Sequence, residues 1–344
     1  MLLPTTVVGS YVQPGWLVDQ TNLRSRLPPR VRAREVWKIA PEHLEDAQDA
    51  ATLAAIRDLE RAGVDIITDG EIRRESYSNR FATALSGIDI DRPGTAIDRT
   101  GHPNPVPRIS GKITRQTGIE TYDARFLAAN TTRKKKITLP GPFTMLQQAQ
   151  NDFYATAEEA AMDYAEAVNA EIRDLFEAGI DVVQLDEPYL QARPEEARKY
   201  AIKAINHALH DVKRDFPERQ TALHMCFGYA HIVHQRADGY SFLRELEALA
   251  VDVISIEAAQ PKLDLSIVKE LPTKRLMIGV LDLGDASIET PEVVAERIRR
   301  ALDVLPAERL IVAPDCGMKY LSRDVAFGKL SAMVKGAELV RATL

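Results

Sequence analysis

Short, almost uninterrupted apolar runs alternate with longer stretches of helical periodicity along this chain. Eight runs rich in β-branched residues stand out, at 5–8, 64–68, 136–139, 181–185, 221–226, 251–256, 276–281 and 310–313. Being near-continuous and not alternating, they predict strands buried on both faces, as in a parallel sheet covered by helices. Amphipathic helices are predicted at 43–62, 155–178, 194–216 and 291–305. Gly63 and Gly179 follow the first two as left-handed stops, and Thr290-Pro291 opens the last as an N-cap and a first-turn proline. Repeated strand–helix units predict an α/β fold, a (β/α)8 TIM barrel that takes residues 1–344 as one domain.

Two segments depart from the repeat. Residues 72–133, between the second and third strands, are too long for a simple crossover. They hold a turn-rich stretch at 94–105 and then an alternation at 106–121 that predicts a hairpin, so this insertion reads as a lid or side wall on the active face. The other segment carries arginines at 24, 26, 30, 32 and 34 around Pro28-Pro29. Its expected role is a solvated loop; the sharper alternative is a dock for an anionic donor or carrier protein. Arg133 to Lys136 reads as the solvent-exposed start of the third strand.

Ionisable and small polar residues gather where the apolar runs end. The ends carry Gly9-Ser10, Asp69-Gly70-Glu71, Pro140-Gly141, Asp186-Glu187, His224 with Cys226, Glu257, Asp282, and Asp315-Cys316. In a barrel all eight carboxyl ends converge on one face, where active sites sit. His224 and Cys226 are two apart on a predicted strand and so share a side. A His-x-Cys pair on an apolar strand is by itself ordinary core. Here both cysteines of the chain and Glu257 join it at strand ends, giving an N, S, O, S donor set suited to Zn²⁺. His231 and His234 read as structural or surface residues of the next helix.

Composition narrows the classes. Hydrophobic residues make up 45% and charged residues 27% of the 344, with a net charge of −6. That is ordinary for a globular protein and argues against nucleic acid or an anionic membrane as partner. Two cysteines make no disulfide framework, and no leader or long apolar span is evident, so a reducing, cytoplasmic location is expected.

The motifs His224-Met225-Cys226, Ser255-Ile256-Glu257, Pro314 to Lys319, Gln184 to Pro188, Val8-Gly9-Ser10 and Gly141 to Met145 together resemble the cobalamin-independent methionine synthase family. The similarity is to its catalytic barrel, runs over essentially the whole chain, and is nearest to short, core-only members. It implies zinc held by His224, Cys226, Glu257 and Cys316. It also implies homocysteine with its amino group on Glu71 and Asp186 and its carboxylate end at Val8, Gly9 and Ser10. Asp282, at the seventh strand end, is retained from the family's acid-supplying region and is the candidate catalytic side chain. Three folate features are replaced: Gln148 stands at the pterin-stacking tryptophan, Ala192 at a pterin-contacting glutamate and Gly284 at the acid histidine. The expected donor is therefore not polyglutamyl folate but a methylated corrinoid protein or another methyl donor, with Gln147, Gln148 and Asn151 lining its side of the pocket.

The alternatives keep the metal and change the chemistry around it. One is a zinc-dependent alkyltransferase on another thiol, by coenzyme M-like epoxide opening or demethylation; keeping both Glu71 and Asp186 favours an α-amino-acid thiol. Another is a zinc- or thiol-binding protein without turnover. The related uroporphyrinogen decarboxylases share the barrel but lack this cysteine pair.

Overall fold

The computed structural model describes residues 1–24, 28–99, 101–227 and 239–344. Its ten strands are β1 (Ile66–Thr68), β2 (Ser86–Ile97), β3 (Pro103–Thr114), β4 (Lys134–Pro140), β5 (Gln150–Asn151), β6 (Val182–Asp186), β7 (Gln220–His224), β8 (Val253–Ile256), β9 (Arg275–Gly279) and β10 (Leu310–Ala313). Seven of them form one parallel sheet in the order β1-β4-β6-β7-β8-β9-β10.

The predicted strand at 5–8 is reduced to two single bridges. Thr5 pairs with Val312 of β10 and Thr6 with Ile66 of β1, so the N-terminal segment runs between the two outer strands. The reason lies in where its polar groups go. The Thr5 N–H and hydroxyl both donate to the Asp65 carboxylate. The Val7 and Val8 carbonyls accept from side chains, Lys136 and Gln184, and not from a ladder.

Residue parity separates two cores. Ile137, Leu139, Val183 and Leu185 join the large core between sheet and helices, whereas Val182, Ala222, Val253 and Met277 meet Val8 and Ile311 on the inner side of the sheet. Lys136 and Thr138 of β4, and Gln184 and Asp186 of β6, are buried on that inner side. The Lys136 side chain, 1% exposed, is thus not the solvated strand start that its neighbours suggest. A strand opening on consecutive lysines must still send every second one inward.

Helices follow the expected pattern with one break. Pro41–Ala62 stops at Gly63, whose φ is +87°, and Ala157–Glu177 starts from a capping box between Thr156 and Glu159. The predicted helix at 194–216 divides into Pro194–Ala208 and Val212–Asp215, with Asp211 left-handed between them. Among the described residues no helix is long and apolar enough to cross a membrane.

The insertion folds as a helix (Asn79–Ala84), the antiparallel pair β2–β3, and a helix (Thr121–Asn130). The hairpin is therefore longer and earlier than the 106–121 alternation predicts. Pro103 and Pro105 read as turn formers, yet both lie in β3, as does Pro107. A three-stranded sheet whose third member is only two residues long leaves β3 room for residues without an N–H. Buried charges pin the insertion to β1: Arg74 faces Asp69 at 3.7 Å and Glu120 at 3.5 Å, and Arg80 meets Asp123 at 2.7 Å.

The arginine segment is engaged and not merely solvated. Arg30 is buried with its guanidinium 5.3 Å from the Tyr77 ring centre, Arg32 pairs with Glu75, and Arg24 donates to the Tyr320 carbonyl. Arg26, His231 and His234 lie outside the described residues.

Candidate metal centre and amino-acid pocket

Strand ends bring the four predicted donors together. His224 is the last residue of β7, and Cys226 follows in irregular chain, because the strand stops two residues earlier than its apolar run. Glu257 follows β8, and Cys316 lies three residues beyond β10. One ligand atom from each of His224, Cys226, Glu257 and Cys316 can be chosen so that all lie within 4.8 Å of one another, and all four residues are buried. The two sulfurs are 3.3 Å apart, and His224 Nε2 is 3.8 Å from Cys316 Sγ.

Each donor is aimed by a neighbour. His224 Nδ1 sits 3.2 Å from Ser255 Oγ, leaving Nε2 for the cluster. One Glu257 oxygen accepts the Phe227 N–H at 3.1 Å. The Asp315 carboxylate accepts the N–H groups of Ala258, Ala259 and Gln260, tying the chain after Glu257 to the residue before Cys316. The hydrogen bond from Cys316 and the nearby His224 ring hold the Cys226 thiol well below its usual range. The hydrogen bond to Cys226, burial and the nearby Cys226 and Glu257 charges push Cys316 well above. Two soft sulfurs, an imidazole and a carboxylate in one dry cluster are what a four-coordinate metal ion requires.

Gly279 makes that arrangement possible. A Cβ there would lie 2.8 Å from the Asp315 Cα, against backbone that cannot yield. Gly279→Ala is expected to displace Asp315 and lower metal content per chain well below that of the parent, with a stability loss of about 1–3 kcal/mol. Metal analysis beside a thermal melt checks this; a variant with full metal and an unchanged melt would refute the role given to Asp315.

Beside the cluster opens a cleft of about 370 Å³, lined by Val8, Gly9, Glu71, Asp186 and His224 among others. Glu71 occupies a left-handed position, φ +54°, directly after Gly70. A non-glycine residue there costs about 1–3 kcal/mol and is tolerated where the surroundings fix it. Thr68 Oγ1 and Asp69 Oδ1 hold the turn from inside, and Thr138 Oγ1 donates to Glu71 at 2.8 Å. Arg73, Arg74 and Arg80 pair with Asp49, Asp69, Glu120 and Asp123, which leaves Glu71 and Asp186 facing the cleft. Burial pushes Asp186 up to about 7 and raises Glu71 as well. Ser10 is buried and does not line this cleft, and its hydroxyl has no hydrogen-bond partner among the described residues.

Other predicted residues lie elsewhere. Asp282 lines a different cleft with Lys262, Arg297 and Arg300, and its carboxylate accepts the Gly284 N–H. Gln147 and Gln148 are buried and do not line the cleft over the cluster. Gln147 bonds to Tyr200 and Arg193; Gln148 bonds to Ser78 and to the Tyr77 hydroxyl. Asn151 accepts N–H groups of its own 151–154 turn. Two lining residues escape a reading of strand ends, Tyr77 and Arg99, both supplied by the insertion. Arg99 donates to the Cys226 carbonyl at 3.3 Å and lies over the Tyr189 ring. The available signal was an arginine within a turn-rich insertion already assigned to the active face.

The chain joins a parallel α/β scaffold to a buried group of one histidine, two cysteines and one glutamate that could hold a metal ion, beside a doubly acidic pocket. The model of the cobalamin-independent synthase catalytic domain matches residues 3–339, and the chain belongs to that family. It is 33% identical over 345 residues to a methionine synthase of Thermococcus kodakarensis, covering all of this chain and 95% of the relative. To one of Saccharolobus islandicus it is 35% identical over 354 residues, covering 100% and 96%. Among solved structures, a B12-independent methionine synthase from Shewanella sp. W3-18-1, in complex with selenomethionine, superposes with a TM-score of 0.88 at 30% identity, covering 100% of this chain and 99% of that one.

Proposed function

We propose that this chain is a zinc-dependent methyltransferase that methylates the thiol of homocysteine to give methionine. The observation that carries this is the adjacency of a four-donor N, S, S, O cluster and a pocket lined by two carboxylates that form no ion pair among the described residues. Two sulfurs, a ring nitrogen and a carboxylate oxygen within 4.8 Å of one another are a donor set that suits zinc. His224, Cys226, Glu257 and Cys316 would hold the zinc, which would supply the Lewis acidity that lowers a substrate thiol's pKa toward neutral.

The protein's own groups position the substrate. Glu71 and Asp186 take the α-ammonium, and the unpartnered Ser10 hydroxyl takes the carboxylate end beside Val8 and Gly9. Tyr77 and Arg99 roof the site and exclude water, and the fixed distance from carboxylates to cluster aligns sulfur with the incoming methyl carbon. Asp282, away from this cleft, would act only on the donor side. The same reading treats Thr5 and Thr6 as the eighth position of a closed (β/α)8 barrel, with residues 72–133 as its lid. Two cysteines that form no disulfide support a reducing, cytoplasmic location.

The donor is not polyglutamyl folate. Gln148, at the pterin-stacking position, is committed to Tyr77 and Ser78 outside the space over the cluster. A methyl group presented from outside, on a corrinoid carrier, suits that space. With zinc-loaded protein, calorimetry should show homocysteine binding, and methionine should form from methylcobalamin and not from methyltetrahydrofolate. Absence of homocysteine binding to zinc-loaded protein would sink the acceptor assignment; turnover with the folate would sink the donor assignment.

A further inference from the structure

Beneath the pocket floor lies a lysine that none of the chemistry above uses. Lys136 is 1% exposed, and its ammonium donates to the Val7 carbonyl, to Gln184 Oε1 at 2.9 Å and, at 3.5 Å, to the Val8 carbonyl. Three N–H groups thus meet three oxygens, the complement a charged lysine needs when it cannot reach water. Burial pulls the ammonium down to about 7, while Asp186 and Glu71 push the other way.

Gln184 passes this arrangement on to the pocket. Its side chain is buried, and its Nε2 donates to the Val8 carbonyl at 2.7 Å and to Asp186 Oδ1 at 2.8 Å. An amide can turn over, exchanging its oxygen and nitrogen. Lys136 removes that freedom, since only Oε1 can accept from an ammonium. With the oxygen so committed, the nitrogen must face Val8 and Asp186. Turned the other way, Oε1 would confront two oxygens with no proton between them.

Resting on the homocysteine reading above, we propose that Lys136, acting through Gln184, is a positioning residue that sets the pocket's preference for thiols bearing an α-amino group. It does so by fixing the Val8 carbonyl and one oxygen of Asp186, which leaves the other Asp186 oxygen and Glu71 to take the substrate ammonium.

The test compares homocysteine with 4-mercaptobutanoate, which keeps the thiol and carboxylate and lacks the amine. Binding to zinc-loaded Lys136→Met, Gln184→Met and the double variant is measured by calorimetry, with metal content and melting temperature alongside. Homocysteine should weaken about tenfold or more in each single variant, 4-mercaptobutanoate by no more than about threefold, with zinc unchanged. Because one residue acts through the other, the double variant should be no worse than the poorer single. Equal weakening of both ligands means a merely structural role and overturns the proposal, as does additivity in the double variant. If Lys136→Met does not fold, the ligand comparison in Gln184→Met decides. Parent protein that binds both thiols equally overturns the homocysteine reading itself; discrimination kept by parent and variants alike overturns only the role of Lys136.

Discussion

Cys316→Ser is expected to abolish stoichiometric metal binding and to cut methyl transfer by about a thousandfold or more. The sulfur is one of the four donors proposed for the site, and a serine hydroxyl neither ionises near neutral pH nor matches a soft metal. The fold should survive. The two cysteines are free and hold no disulfide, and the exchange leaves at most one poorly satisfied hydroxyl, a cost of about 1–3 kcal/mol. Cys226→Ser should behave alike. Metal content after gel filtration, with far-ultraviolet circular dichroism as the folding control, reads this directly. A folded Cys316→Ser protein that keeps one metal per chain would remove that cysteine from the ligand set.

Glu71→Gln and Asp186→Asn should weaken homocysteine by about 30- to 5,000-fold, the range for truncating a buried charged partner, at about 2–5 kcal/mol. Metal content should not change, and the loss should fall on KM more than on kcat, because the reacting sulfur is held by the cluster. Stability should move the other way. Burial raises Asp186 from the usual carboxylate range to about 7, so its folded form holds a proton more readily than its unfolded form. That contribution is full below about pH 4 and is lost as pH rises toward 7. Asp186→Asn removes this slope, and its melting temperature at neutral pH should equal or exceed the parent's. A neutral-pH melt well below the parent, or an unchanged KM, would count against the pocket assignment.

How far the sequence could be read depended on whether a signal was local. Apolar runs placed β4, β6 and β8 to within two or three residues at each end. The polar residues that end them were visible because a buried strand has no other reason to finish on Asp186, His224 or Glu257. Contacts across the fold were not visible. Lys136 sits among lysines, and nothing nearby in sequence says that the inner side of β4 is polar. Tyr77 and Arg99 reach the pocket only because the insertion folds back over it. The break after Ala208 needs a left-handed Asp211 that helical periodicity does not reveal. Gln147 and Gln148 were assigned from position within a motif, which fixes the backbone but not what a glutamine side chain finds to bond.

Asp315 has a further consequence for how the cluster takes up its ion. By gripping three successive amides after Glu257, it mounts Glu257 and Cys316 on a common bracket. Half of the coordination sphere is thereby assembled during folding, and the ordering entropy of those two side chains is spent before the ion arrives. The protein should capture its metal as a finished socket, with little further compaction, unlike small zinc domains that fold around the ion.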